Sequence, residues 1–342
     1  MRFLIIQTAF LGDVILATSI IEKLYHNFPD PQIDFLLRKG NESILENHPL
    51  LNKVLLLDKN KNKLGSILKI ASEIRNNKYD YVINLHRFGS SGFVTWCSGA
   101  KIKIGFDKNP FSFCYTKKVK HEIKNGIHEI ERNHELIRDF TDDKIAKPRI
   151  YPSENDFNEM QSIINNLPAA RSIINQNYVC IAPASIWFTK QFPKEKWIEL
   201  IKNFPFEIKI FLIGSKNDFE LCEKIKLKTL NLKHKTVFNI AGKISLLQTA
   251  ALMKNAQMNY VNDSAPMHIA SAMNIQVTAI FCSTIPAYGF GPLSDKSKII
   301  ETKEKFDCRP CGLHGHNVCP EKHFKCAHTI KTKDILNDET RN

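Results

Sequence analysis

MRFLIIQTAFLGDVILATSIIEKL, residues 1–24, is the stretch whose reading decides the fold. Residues 2–8 form a β-rich apolar run and a short Ala9-Phe10-Leu11-Gly12-Asp13 turn follows. Val14, Ala17, Thr18, Ile21 and Leu24 then recur at helical spacing, so the stretch reads strand, loop, helix. The apolar run superficially resembles a secretory leader, but Gly12-Asp13 breaks it and no small-x-small cleavage site follows. The same alternation continues, with strands at 33–37, 53–57 and 81–85 and a helix at 64–76. After a stretch rich in Lys, Asp, Asn and Pro at 140–176, with one helix at 154–166, it starts afresh. Strands at 178–182, 208–213, 236–239, 258–261 and 277–281 alternate with helices at 194–202, 218–228, 245–254 and 265–273. Repeated βα units predict an α/β protein with mostly parallel sheets.

At 342 residues the chain suits two domains. The boundaries expected are an N-terminal domain at 1–150, a linker at 151–176, a C-terminal domain at 177–330 with a Cys-rich tail at 308–326, and a terminal helix or tail at 331–342. Lys and Arg number 48 against 35 Asp and Glu, which favours anionic partners: phosphates, nucleic acid or an acidic membrane surface. Much of the excess is single Lys residues in Lys/Asn-rich stretches such as 58–63, read as solvated surface. No run reaches the ~18 apolar residues of a spanning helix. A basic nucleic-acid-binding module, the rival from another class, calls for Lys and Arg interleaved with stacking aromatics, and no such stripe stands out in the chain, so no nucleic-acid partner is expected. Neither G-x-G-x-x-G after the first strand nor G-x-x-x-x-G-K-[ST] occurs.

Parallel sheets bind ligands outside the carboxyl ends of their strands, so the strand-to-helix loops should carry the chemistry. Asn262-Asp263-Ser264-Ala265-Pro266-Met267-His268 lies between a strand and a helix. Asp263 or Ser264 can cap the helix, Pro266 suits its first turn, and the amides there can hold a phosphate. Ala182-Pro183-Ala184-Ser185-Ile186-Trp187-Phe188-Thr189-Lys190 places hydroxyls and one cation at the sheet's carboxyl end, where Lys190 would offset charge on a departing diphosphate. In the first lobe, Gly12-Asp13 puts a carboxylate at a helix N-terminus, whose dipole favours the ionised form a general base needs. Asn84-Leu85-His86-Arg87-Phe88-Gly89-Ser90-Ser91 supplies polar and cationic groups for an acceptor. Taken singly, each loop has an ordinary alternative: a plain cap, a surface lysine, a solvated loop.

Together the loops resemble glycosyltransferase family 9, the ADP-heptose:lipopolysaccharide heptosyltransferases. Gly12-Asp13-Val14-Ile15-Leu16-Ala17-Thr18-Ser19 is similar to the family's Gly-Asp followed by "VILATP". Residues 183–193 are similar to its "PGA-x-W-x-x-K-x-W-P", and Asp263-Ser264-Ala265-Pro266-Met267-His268 to its "DSGPMH". The resemblance runs from residue 1 to about 330. Ser19 stands for the usual Pro, Ala184-Ser185 for Gly-Ala and Ala265 for Gly, and Ala265 is expected to narrow the backbone approach to the phosphate.

The resemblance implies a GT-B fold, two Rossmann-like domains with a cleft between them, and inverting transfer of a heptose from ADP-heptose to the inner core of lipopolysaccharide. Asp13 would be the general base, and Lys190 with the 263–268 turn would stabilise leaving ADP. Donor contacts are expected at Ser185, Thr189, Lys190, Asp263, Ser264, Ala265, Met267 and His268, and acceptor contacts at Gly12, His86, Arg87 and Ser90. No cofactor would be required for catalysis. The expected state is a monomer, cytoplasmic and peripheral on the inner membrane. The alternative enzyme is a GT-B transferase using another nucleotide sugar for a cell-surface glycan.

Nine Cys fit a reducing compartment, and four crowd into the tail as Cys308-x2-Cys311, Cys319 and Cys326. The CxxC half has zinc-ligand spacing and the second half does not repeat it, so a structural zinc, reduced thiols and disulfides are all open.

Overall fold

A computed structural model describes residues 1–59, 63–123, 126–166, 178–204, 208–232 and 235–336. The chain divides into two compact units, Met1–Tyr151 and Pro152–Asn342.

The first unit contains β1 (Arg2–Gln7), α1 (Leu11–Asn27), β2 (Gln32–Arg38), β3 (Lys53–Leu57), α2 (Lys63–Asn76), β4 (Tyr81–Asn84), α3 (Gly89–Cys97), β5 (Ile102–Phe106), β6 (Lys117–Val119) and α4 (Glu129–Glu135). Its sheet runs β3-β2-β1-β4-β5-β6, parallel throughout. Phe3, Leu4, Ile5 and Ile6 have no exposure, because the central strand of a parallel sheet is covered on both faces. Helix α1 is buried without interruption from Val14 to Leu24. Its polar groups are therefore satisfied internally: Thr18 donates to the Ile15 carbonyl at 2.7 Å, Ser19 to the Leu16 carbonyl at 2.8 Å, and Glu22 accepts from Tyr151 at 2.7 Å.

The second unit contains α5 (Glu154–Asn166), β7 (Tyr178–Ala182), α6 (Lys194–Lys202), β8 (Ile208–Leu212), α7 (Phe219–Thr229), β9 (Lys235–Asn239), α8 (Leu246–Lys254), β10 (Met258–Asn262), α9 (Ala265–Met273), β11 (Val277–Phe281), β12 (Ser297–Glu301), α10 (Lys325–His328) and α11 (Thr332–Leu336). Its sheet runs β12-β11-β10-β7-β8-β9, again all parallel. Read from its own first strand this is the order of the first unit, so the chain repeats one doubly wound topology. Trp197 of α6 is fully buried and meets Phe192 edge to face at 5.3 Å, anchoring the helix under the sheet.

Several elements depart from the sequence reading. The 84–91 stretch, expected as a loop offering polar and cationic groups with a solvated loop as the ordinary alternative, runs into α3, whose Ser91, Gly92, Val94 and Thr95 are buried. Strands β5, β6 and β12 and helix α4 were not anticipated; the strands are short and carry charged residues between their apolar ones, which blurs the pattern. Within the expected 151–176 linker, α5 packs on α8 as part of the second unit, with Gln248 donating to Glu159; residues 167–176 lie outside the described residues. At the carboxyl end, α11 is tied to α6 by Thr332 donating to Glu199 at 2.6 Å, and 337–342 lie outside the described residues.

One glycine is fixed by close approach. A Cβ on Gly92 would lie 2.0 Å from Asn109 Oδ1, and Asn109 donates to the carbonyls of His86 at 3.0 Å and Phe88 at 3.2 Å. Gly92→Ala is expected to destabilise the chain by about 1–3 kcal/mol through overpacking, read as a lower urea midpoint. An unchanged midpoint contradicts the close approach.

Candidate functional site

In a sheet of order 3-2-1-4-5-6 the chain turns in opposite directions after the two central strands, and the loops there splay apart to leave a crevice. The central strands are β1 and β4 in the first unit, β7 and β10 in the second. The four loops singled out from the sequence follow these four strands.

In the second unit the loops after β7 and β10 meet. Lys190 Nζ lies 2.8 Å from Asp263 Oδ2, with side chains 15% and 5% exposed. Thr284, beyond β11, donates to the same oxygen at 2.6 Å, and Ser185 donates to the Asp263 carbonyl at 3.4 Å. Asn262 holds the two loops in register. Its Oδ1 accepts from the Phe192 amide at 2.9 Å, and its Nδ2 donates to the carbonyls of Ala182 at 3.4 Å and Ala184 at 3.3 Å. Neither expected cap is made: Asp263 is engaged by Lys190 and Thr284, and Ser264, at the N-cap of α9, turns its hydroxyl to the Asn262 carbonyl at 3.3 Å. The start of α9 thus keeps its partial positive charge without a side-chain acceptor at the cap. Ala265, the first helical residue, does not take a positive φ, so the family's Gly is not required there for backbone conformation. Met267 and His268 are buried within α9.

Thr189 has a different setting from the one expected. Its amide donates to the His316 carbonyl at 3.0 Å and its Oγ1 accepts from the His316 amide at 2.8 Å, so it fastens the Cys-rich tail over the Trp187–Lys190 turn. Gly315, at φ +77°, allows this approach, since a Cβ there would sit 2.9 Å from Thr189 Oγ1. Arg309, which the sequence reading did not single out, ties the tail to the end of β11. It donates to the carbonyls of Cys282 at 2.7 Å and Thr284 at 2.8 Å and pairs with Glu301 at 2.5 Å. The tail thus touches both the turn carrying Lys190 and the residue bonded to Asp263.

Cys308, Cys311, Cys319 and Cys326 line one cavity of about 280 Å³ together with His323, Asp307 and Glu321. Among the described residues, however, no three Cys, His, Asp or Glu groups converge closely enough to hold a metal ion, and all nine cysteines are free thiols. Burial pushes the Cys326 thiol up to about 11.

In the first unit Asp13 is the third residue of α1, whose N-cap is Phe10, so the carboxylate sits inside the first turn of the helix. Gly12 precedes it, half-buried. His86 is buried and its Nδ1 lies 2.9 Å from Thr8 Oγ1. Lys59 Nζ donates to the Thr8 carbonyl at 2.7 Å and to Thr8 Oγ1 at 3.2 Å. The Thr8 hydroxyl, with one proton and two lone pairs, can serve Lys59 and the His86 ring at once. Burial, with Lys59 and Arg87 adding to it, pushes His86 down to about 3. Burial, with Arg38 and Lys63, pushes Lys59 down to about 8. Lys59 corrects the reading of 58–63 as solvated surface, and it and Thr8 are the residues missed here. Thr8 was findable as the residue directly after β1. Arg87 and Ser90 are half-buried, beside His86 and at the start of α3.

Two repeats of the doubly wound sheet, each with its polar loops gathered at the switch point, are the architecture of the GT-B glycosyltransferases. The model of glycosyltransferase family 9 (heptosyltransferase) matches residues 67–321, and the chain belongs to that family. It is similar to lipopolysaccharide heptosyltransferase 1 of Campylobacter coli, 28% identical over 98% of this chain and 97% of that protein. It is also similar to lipopolysaccharide heptosyltransferase 3 of Escherichia coli, 26% identical over 80% of this chain and 82% of that one. Among solved structures, the family 9 glycosyl transferase from Veillonella parvula DSM 2008 superposes with a TM-score of 0.84 at 21% identity, over 99% of this chain and 96% of that one. E. coli ADP-heptose lps heptosyltransferase II superposes at 0.76 and 20%, over 99% and 100%.

The buried histidines of the first unit set a pH dependence. Burial lowers His86 to about 3 and His48 and His121 to about 4. Unfolded, each titrates near 6.5, so between about pH 6.5 and 4 the unfolded chain binds protons that the folded chain refuses. Stability is therefore expected to fall as pH drops through that window, read as a lower urea midpoint at pH 5 than at pH 7. A midpoint that holds or rises toward pH 5 contradicts the buried, neutral state of these rings.

Proposed function

We propose that the chain transfers a heptose from ADP-heptose to the inner core of lipopolysaccharide, with inversion at the anomeric carbon. The observation that carries this reading is the Lys190–Asp263 pair at the carboxyl edge of β7 and β10, beside the start of α9. An ammonium has three N–H donors, and one directed at Asp263 leaves others for diphosphate oxygens. Asp263 holds the ammonium in place before the donor arrives, so little side-chain freedom is lost on binding. The α9 terminus adds backbone dipoles directed at the same anion. The names of the relatives support the heptose and the lipopolysaccharide acceptor.

On this reading Asp13 takes the proton of the acceptor hydroxyl as its oxygen attacks the anomeric carbon. The bond from that carbon to the diphosphate oxygen breaks on the opposite face, and its electron pair leaves with ADP, stabilised by Lys190 and the 263–268 turn. Gly12, His86, Arg87 and Ser90 serve the acceptor, with Thr8 and Lys59 fixing the His86 ring. Ser185 serves the donor. The reaction requires no metal, and the enzyme works as a monomer, peripheral to the cytoplasmic face of the inner membrane.

The test is product formation from ADP-heptose and a heptose-deficient lipopolysaccharide in EDTA. Wild type is expected to turn over. Asp13→Ala is expected to lose roughly 10²–10⁴-fold in rate and Lys190→Met roughly 10²–10³-fold. An Asp13→Ala enzyme of near-normal rate removes the base assignment, activity lost in EDTA and restored by metal removes the metal-free mechanism, and transfer only from another nucleotide sugar removes the heptose.

A further inference from the structure

The Cys-rich tail carries thiols that sugar transfer does not use. Cys308, Cys311, Cys319 and Cys326 line one cavity, and Ser283 lines it too, with a buried hydroxyl that has no hydrogen-bond partner among the described residues. A small polar molecule entering there would find that hydroxyl waiting. Cys308 and Cys311 are half-buried and within reach of solvent, whereas Cys326 is buried, as are Cys180, Cys222 and Cys282. Cys311 feels both Cys308 and Cys319 electrostatically, which puts the three sulfurs near one another. His323 Nδ1 accepts from the Lys325 amide at 3.0 Å, so the neutral ring carries its proton on Nε2, 4.0 Å from Cys308 Sγ. An N–H in that place is set to share the charge of a thiolate.

The residues between the two sulfurs give the pair a consequence. Arg309, inside the Cys308-x2-Cys311 turn, donates to the carbonyls of Cys282 and Thr284 and pairs with Glu301. The Cys311 amide donates to the Ser283 carbonyl at 2.8 Å. The turn is thus clamped to the end of β11 while its sulfurs are unbonded, and the clamp holds Thr284, whose hydroxyl donates to Asp263. An S–S bond is about 2.0 Å long with a narrow range of dihedral angles, so its closure rearranges the turn around Arg309. A disulfide needs one pair of sulfurs to meet. A metal site needs three or four groups aimed at one point, and among the described residues no three Cys, His, Asp or Glu are so placed.

We propose that Cys308 and Cys311 are a thiol–disulfide exchange site for small disulfides, and that closing their bond loosens Arg309 from Thr284 and weakens the anchor at Lys190 and Asp263. The Cys308 thiolate attacks one sulfur of the small disulfide, whose other sulfur leaves as a thiolate. The Cys311 thiolate then attacks Cys308 Sγ and expels the second thiolate. The chain gives up two electrons and two protons, and the small disulfide takes them up as two thiols. In a reducing compartment the pair rests as thiols, and a partly exposed disulfide is of the labile kind that thiols reopen. The effect on ADP rests on the reading of Lys190 and Asp263 as the donor's anchor; the exchange itself does not.

Two readouts on the full chain decide the matter: peptide mass mapping after alkylation, and calorimetric titration of ADP. Both compare chain reduced with a phosphine against chain equilibrated with bis(2-hydroxyethyl) disulfide. Wild type is expected to form the Cys308–Cys311 bond and to bind ADP roughly three- to tenfold more weakly, the loss of about one hydrogen bond, with recovery on reduction. Cys308→Ser/Cys311→Ser is expected to bind ADP like reduced wild type and to ignore the disulfide, while Cys97→Ser/Cys114→Ser still responds. The proposal is overturned if mapping finds no Cys308–Cys311 bond, if the bond forms and ADP affinity holds or rises, if the Cys308→Ser/Cys311→Ser chain still responds, or if the purified chain holds zinc or iron on these thiols. Reduced wild type that binds no ADP removes the donor anchor instead, and the mapped bond then still decides the exchange.

Discussion

An ammonium and a carboxylate almost fully withdrawn from water face a desolvation cost of several kcal/mol per ion, and a pair survives burial only if the remaining hydrogen-bonding capacity is met. Lys190 and Asp263 meet this condition through their neighbours. Thr284 donates to the oxygen that Lys190 approaches, and Asn262 locks the backbones on which both side chains ride. Thr284 is held by Arg309, and Thr189, next to Lys190, by His316. The second unit's sheet order brings the two loops side by side, and the Cys-rich tail braces them from both ends. The tail therefore acts on the site through the residues it holds.

The first unit meets a different constraint with the same topology. Its polar loops also gather after the two central strands, but the groups there are the Asp13 carboxylate, several cations and one buried imidazole. Thr8 stands between Lys59 and His86 and lets both be satisfied by one hydroxyl. The ring stays neutral because burial and two cations oppose its protonation.

Much of this was legible in the chain because two periodicities were clean. The run Phe3–Ile6 and the helical recurrence from Val14 to Leu24 announced β1 and α1, and α5, β7, α6, α9 and β11 fell where their apolar patterns placed them. The loops carrying Lys190 and Asp263 were visible because strand, polar loop and helix start follow one another locally. What escaped reading depends on contacts distant in sequence. Helix α3 is rich in Gly and Ser, and its reason for existing is the Asn109 segment that packs on Gly92. Lys59 looks like any lysine of a Lys/Asn-rich stretch until β3 delivers it to Thr8. Thr189 reads as a ligand hydroxyl until the tail, more than a hundred residues later, folds back onto it. The four tail thiols line one cavity, and spacing alone could not tell such proximity from a closed metal site.

The central claim is that the buried Lys190–Asp263 pair is one prearranged anchor for the donor's diphosphate. Calorimetric titration of ADP into wild type, Lys190→Met, Asp263→Asn and the double variant tests it most directly. The account predicts that each single change weakens ADP binding about tenfold or more and that the double variant binds no worse than Lys190→Met, because the two residues act as a unit. ADP affinity unchanged in Lys190→Met, or losses that add as if the residues were independent, would contradict it.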